Sequence, residues 1–247
     1  MAKVKIESSF YSRVRLYVSS KLFEGANVYL TPDHKHYLFK VLRLKENSEV
    51  YLFNGLDGEW KSVIIKEGVN ELLCKEQIRQ QSNEIGPWLF FSLIKYGRID
   101  WLVEKATELG VSHLCPIITD RTVVRRINPN RLKKHIIEAA EQSERLTIPV
   151  LYNIKKLSEL FNDNFLSNKI IVYCDERVTK PKIQEAMENY KYSDLAILIG
   201  PEGGFTLSEK KFLYLKENVI SVTLGKRILR SDTAALTALA LLTQKVK

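Results

Sequence analysis

The densest chemistry in the chain lies in Gly200-Pro201-Glu202-Gly203-Gly204-Phe205-Thr206, directly after the apolar run Leu195-Ala196-Ile197-Leu198-Ile199. Three glycines without Cβ atoms let backbone amides and carbonyls approach a ligand closely, and Pro201 stiffens the turn. Thr206 and Glu209 have the spacing of a capping box, so a helix is expected to begin there. The loop then joins a strand to a helix at the carboxyl edge of a sheet, where open α/β sheets bind their ligands. A second loop, Leu224-Gly225-Lys226-Arg227-Ile228-Leu229-Arg230, follows another strand-like run and leads into Ser231 and Asp232, both good helix caps. Two strand-end loops of this kind can share one ligand.

A third group is Glu138-Ala139-Ala140-Glu141-Gln142-Ser143-Glu144-Arg145, read as the end of a helix. Residues 121–135, its approach, hold six Lys or Arg (Arg121, Arg125, Arg126, Arg131, Lys133, Lys134) and no Asp or Glu. Gln142 and Arg145, three apart, would share a helical face, where an amide and a guanidinium can read a base edge or a phosphate. On spacing alone, a surface pair of Arg145 with Glu141 is the competing reading. Other chemistries lack their residues. No G-x-x-x-x-G-K-[ST], G-x-G-x-x-G or G-x-S-x-G pattern occurs, which removes support for triphosphate hydrolysis, Rossmann cofactors and covalent acyl transfer. His34 and His36 form an H-x-H pair with no third ligand, and Cys74, Cys115 and Cys174 are far apart, so no metal site is expected.

The elements that must position these loops fall into two regions. Up to residue 78 the pattern is β-rich: Arg13 to Val18 alternates, Val50 to Phe53 and Glu59 to Ile65 flank a turn, and Thr31-Pro32 opens one short helix. Several short strands with one helix suggest a small barrel spanning 1–78. From about residues 79–87 onward, apolar strands alternate with amphipathic helices, the grammar of an α/β domain with a mainly parallel sheet over 79–247. Expected strands are Trp88–Ile94, His113–Ile118, Lys169–Cys174, Leu195–Ile199 and Val219–Leu224.

Composition sets the partner class. The 247 residues, 45% hydrophobic and 27% charged, suit a globular chain, and 38 Lys plus Arg against 29 Asp plus Glu give a formal charge of +9, which favours a polyanion such as nucleic acid. Residues 1–10 lack the apolar core of a signal peptide, and no apolar run reaches the roughly 18–20 residues of a membrane span. A reduced, cytoplasmic protein without membrane attachment is expected.

Lys105-Ala106-Thr107-Glu108-Leu109-Gly110-Val111, the Glu138 to Arg145 series, Gly200 to Thr206 and Leu224 to Arg230 together resemble the ribosomal RNA small subunit methyltransferase E family in order and spacing. His36 through Gly55 resembles that family's amino-terminal domain. The resemblance implies a PUA-like barrel followed by a SPOUT α/β domain tied in a trefoil knot and active as a homodimer. It also implies transfer of a methyl group from S-adenosylmethionine to nitrogen 3 of a uridine in small-subunit (16S) ribosomal RNA. The cofactor is then expected at Ile199, Gly200, Pro201, Glu202, Gly203, Leu224, Gly225, Ile228, Leu229 and Arg230. Glu202, Arg145 and Arg230 are the expected catalytic groups, and Arg43, Arg121, Arg125, Arg126, Arg131 and Gln142 the expected RNA contacts. A knotted methyltransferase acting on transfer RNA or the large subunit, and a non-catalytic RNA-binding assembly factor, are the competing functions.

Overall fold

The computed structural model describes residues 13–66, 70–95, 97–161, 166, 168–176 and 179–243. The expectation for residues 1–10 lies outside them. Two compact units form: one holds the residues up to Asn83 together with Glu144–Thr147, the other Glu84–Ser143 and the chain from Ile148. The expected boundary at 79–87 did not include the return of 144–147 to the first unit.

In the first unit, β1 (Arg15–Tyr17), β2 (Asn27–Tyr29), β3 (Glu49–Phe53), β4 (Glu59–Ile64) and β5 (Glu71–Arg79) make one sheet in the order β1-β3-β4-β5-β2. The β1 to β3 pairing is parallel and the others antiparallel. The β3–β4 turn is tied by Asn54, whose Oδ1 accepts from the amides of Leu56 and Asp57 at 2.9 and 2.8 Å. Thr31 caps the short α1 (Pro32–Lys35) as its position predicts, accepting from the His34 amide, and a π-helical turn over His36–Val41 continues it. Alternating strand residues such as Leu16, Val50, Leu52, Ile64 and Leu72 fill the core beside Val28 and Leu38.

The same unit buries an ion pair between Arg15 and Glu59. Arg15 Nη2 also donates to the Arg145 carbonyl at 2.9 Å, and Arg79 Nη1 to the Glu144 carbonyl at 3.0 Å. Glu59 thus balances two arginines that hold segment 144–147 by its backbone, since Arg79 lies 3.5 Å from the same carboxylate.

The second unit is an all-parallel sheet. Its strands are β6 (Trp88–Ser92), β7 (His113–Ile118), β8 (Val150–Leu151), β9 (Lys155–Lys156), β10 (Ile170–Cys174), β11 (Leu195–Ile199) and β12 (Val219–Val222). They run in the order β12-β10-β11-β6-β7-β8, with β9 also on β7. All five expected strands are present, with ends trimmed by at most two residues; β8 and β9, two residues each, carry no readable period. One face is covered by α2 (Arg98–Glu108), α3 (Pro129–Gln142), α4 (Ile183–Ala186) and α6 (Ser231–Thr243), which bury Ile99, Leu102, Val103, Ala106, Leu132, Ile136, Ile183, Ala235 and Leu239. On the other face, Phe205 and Leu213 of the α5 region (Leu207–Tyr214) join Trp88, Phe90, Tyr173 and Leu198. Among the described residues no helix is long and apolar enough to cross a membrane.

Candidate active site

Parallel strands send all their carboxyl ends to one edge, so the loops leaving β10, β11 and β12, neighbours in the sheet, converge. A cavity opens there, lined by Cys174, Asp175 and Glu176 after β10, by Ile199, Gly200, Pro201, Gly204 and Phe205 after β11, and by Thr223, Leu224, Gly225, Arg227 and Leu229 after β12. Ser231 and Ala234 of α6 and Lys210 of α5 complete its walls with Tyr173. Both loops singled out from the sequence therefore meet at one cavity.

Local chemistry holds the loops in place. Thr206 and Glu209 form the full capping box at the start of α5. Glu209 Oε1 also accepts from the Asp120 amide at 2.9 Å, and Arg121 Nη1 donates to the Gly203 carbonyl at 2.8 Å, so residues 120–121 brace the glycine loop. Thr206→Ala removes the cap and is expected to lower stability by about 1 kcal/mol, read as a lower urea midpoint with unchanged slope. Ser231 does not cap its own helix as expected: its hydroxyl donates to the Gly200 carbonyl at 2.8 Å and ties α6 to the first loop. Asp232 accepts from the Thr233 amide at 2.9 Å and pairs with Arg98 at 3.3 Å.

The glycines have distinct tasks. A Cβ on Gly200 would lie 2.8 Å from the Phe205 ring, while Gly204 and Gly225 have φ of +65° and +123°. At Gly225 no atom lies within 4 Å of an added Cβ, so the backbone there faces open space. Charged groups cluster on the β10 side, where buried Asp175 accepts from the Tyr214 hydroxyl at 2.5 Å and Glu176 pairs with Lys210 at 3.3 Å. Burial pushes the Cys174 thiol up to about 12, so it serves as wall and not as nucleophile.

Six of the expected cofactor residues line the cavity: Ile199, Gly200, Pro201, Leu224, Gly225 and Leu229. Glu202, Gly203, Ile228 and Arg230 do not line it; each stands beside a residue of the cavity wall. Sequence reasoning missed the contribution of β10. Its signal was the pair Asp175-Glu176 directly after an expected buried strand.

Arg145 departs from its expected place. Helix α3 stops at Gln142, and Glu144 adopts φ of +58°, so Gln142 and Arg145 share no helical face. Arg145 is buried in the first unit, where its Nη2 donates to Thr147 Oγ1 at 3.2 Å, so it does not lie on a helix surface. Of the expected RNA contacts, Arg121 is engaged by Gly203, and Arg131 pairs with the buried Asp100 at 2.6 Å. Arg125 and Arg126 are exposed, and Arg43 has φ of +53°. Gln142 ends α3.

Residues 81–243 match the profile of an RNA methyltransferase domain, and residues 30–77 that of an RNA methyltransferase PUA domain. The chain is 37% identical over 233 residues to the ribosomal RNA small subunit methyltransferase E of Rickettsia conorii, covering 92% of this chain and 93% of that one. A methyltransferase from Legionella pneumophila, solved with its cofactor S-adenosylmethionine, superposes with a TM-score of 0.80 at 26% identity, over 94% of this chain and 97% of that one. The Neisseria gonorrhoeae ribosomal RNA small subunit methyltransferase E bound to S-adenosylmethionine gives 0.78 at 26% identity with the same coverage.

Proposed function

Because the chain belongs to the ribosomal RNA small subunit methyltransferase E family, we propose that it methylates nitrogen 3 of a uridine in small-subunit ribosomal RNA, using S-adenosylmethionine. It is an RNA methyltransferase of mixed α/β fold with a PUA-like amino-terminal unit. The observation that carries the finer reading is the cavity at the ends of β10, β11 and β12, where the two loops of unusual sequence meet.

The donor set fits S-adenosylmethionine. Ile199, Leu224, Leu229 and Ala234 offer apolar walls for a purine, and the backbone at Gly200 and Gly225 offers amides and carbonyls to its edges and to the ribose. Asp175 and Glu176 supply negative charge suited to a sulfonium and an ammonium. When bound, the cofactor supplies a methyl group already activated on positively charged sulfur.

The remaining work falls to side chains that an entering base can reach. Nitrogen 3 of uracil keeps its proton at neutral pH, so its attack requires proton removal or stabilisation of the resulting anion. Glu202 follows the wall residue Pro201 and Arg230 lies between the wall residues Leu229 and Ser231; both are exposed at the cavity's rim. We assign the base to Glu202 and the charge on the uracil oxygens to Arg230, ahead of the buried Arg145. Glu202 makes no hydrogen bond to loop amides among the described residues; Gly204 instead donates to the Pro201 carbonyl at 2.9 Å, which leaves the carboxylate available. A homodimer completes the proposal, supported by the 81% exposed Ile228 beside the wall residue Leu229. Basic residues of both units, with Arg43 and Arg126 among them, would hold the RNA in an intracellular setting.

Transfer of labelled methyl from S-adenosylmethionine tests the substrate class. Label is expected in small-subunit ribosomal RNA and absent from transfer RNA and large-subunit RNA. Preferential labelling of either of the latter would transfer the activity to another RNA, and a protein without saturable cofactor binding would be an assembly factor.

A further inference from the structure

A second cavity, of about 480 Å³, lies in the methyltransferase unit and plays no part in the cofactor site. Its volume is in the range of small-ligand sites, roughly 300–1,000 Å³. Ile118, Leu157 and Phe212 form an apolar floor, and Arg125, Lys156 and the hydroxyls of Ser158 and Ser208 stand around it.

The cavity holds two carboxylates and two cations, and the two pairs of groups are used differently. Its two carboxylates are already engaged: Asp120 Oδ2 accepts from Thr206 Oγ1 at 3.0 Å, and Glu209 accepts from the amides of Asp120 and Thr206 at 2.9 and 2.8 Å. The side chains of Arg125 and Lys156 have no ion pair among the described residues. Two cations without an ion pair, over an apolar floor and with hydroxyls beside them, while the carboxylates are tied to the α5 loop, match a nucleotide: the cations suit a phosphate, the hydroxyls a ribose, and the floor a base.

We propose that this cavity binds one phosphodiester-linked nucleotide of the substrate strand, with Arg125 and Lys156 on its phosphate, at a site separate from the cofactor. The proposal rests on the RNA methylation reading and adds a strand-holding subsite to it. Its location gives it a task. Segment 119–121 forms one side of this cavity through Thr119 and Asp120 and braces the cofactor loop through the Arg121 contact to Gly203. A nucleotide held here anchors the strand against the same loop that carries Glu202.

The test measures anisotropy of a short fluorescent oligouridylate over a series of salt concentrations, with cofactor affinity followed by calorimetry. Arg125→Gln combined with Lys156→Gln should weaken the oligonucleotide about tenfold at moderate salt and flatten the plot of log affinity against log salt by about 0.7 for each phosphate that is no longer neutralised. S-adenosylmethionine affinity should stay within twofold, which also reports a folded protein. If the double variant does not fold, Lys156→Gln alone must show the same trend. Unchanged affinity and slope in a folded variant would overturn the proposal, as would displacement of the oligonucleotide by a modest excess of inorganic phosphate, which would mark a site for free anions. Should the wild type bind oligouridylate through this pair yet transfer no methyl group, the subsite stands and the catalytic reading falls.

Discussion

Gly200→Ala is expected to weaken S-adenosylmethionine binding by roughly ten- to a hundredfold in a protein that remains folded. The added Cβ would sit 2.8 Å from Cε2 of Phe205, a separation that real Cβ atoms do not show, so the ring or the loop must move. Phe205 is a wall of the cavity and packs edge-on against Tyr173 at 5.3 Å. Overpacking of this kind costs about 1–3 kcal/mol, and each 1.4 kcal/mol charged to the bound state is about tenfold in affinity. Gly203 makes a useful contrast. From the sequence it is a close-approach glycine like its neighbours, yet its added Cβ would meet only Arg121, with the Arg121 Cβ nearest at 3.4 Å, and it lies outside the cavity wall. Gly203→Ala should therefore bind cofactor within about threefold of wild type, on the ground that ordinary van der Waals contact carries little cost. Calorimetric titration with a circular dichroism check decides it: equal affinities for wild type and Gly200→Ala would remove this loop from the cofactor site.

Glu202→Gln is expected to lower the single-turnover methyl-transfer rate by about a hundredfold at saturating RNA and cofactor, the lower range of general-base effects. Binding of both substrates should change little, because the side chain stands outside the cavity wall and has no hydrogen bond among the described residues. The pH dependence separates base from bystander. As pH rises, more uridine is ionised without help, so the variant should gain rate and close part of its deficit. Arg230→Ala should also be slow at neutral pH and should remain slow as pH rises, since its loss removes stabilisation of the anion itself. A Glu202→Gln rate within threefold of wild type would return the carboxylate to solvent.

Local signals are legible where a short stretch determines its own geometry. The capping box at Thr206 and Glu209 and the strand Leu195–Ile199 are readable because hydrogen bonding to the nearest turn and burial on both faces leave residue-type signatures. The two loops pair correctly for the same reason: each follows a strand, and parallel strands end on one edge. What escapes the sequence depends on strand order and on single dihedral angles. The neighbours of β10 are β11 and β12, which sequence order alone does not reveal, so Asp175 and Glu176 do not stand out as part of the site. The helix through Glu138 reads on to Arg145 because no glycine or proline marks its end; the break is made by Glu144 in the left-handed region, a conformation residues other than glycine take when the surroundings hold them there. Here the surroundings are Arg15 and Arg79, distant in sequence, grasping the carbonyls of Arg145 and Glu144. Ser231 misleads in another way, since a hydroxyl at a helix start can serve its own helix or a neighbouring loop, and only the position of Gly200 settles which.

Mass mapping of small-subunit ribosomal RNA after incubation with the purified protein and S-adenosylmethionine tests the central claim most directly. One added methyl group is expected on a single uridine, located on ring nitrogen 3 by fragmentation and by a block to Watson–Crick pairing in reverse transcription, and formed about a hundredfold more slowly in the Glu202→Gln variant at neutral pH. A methyl group on the ribose, on carbon 5 of the base or on another nucleotide would contradict it.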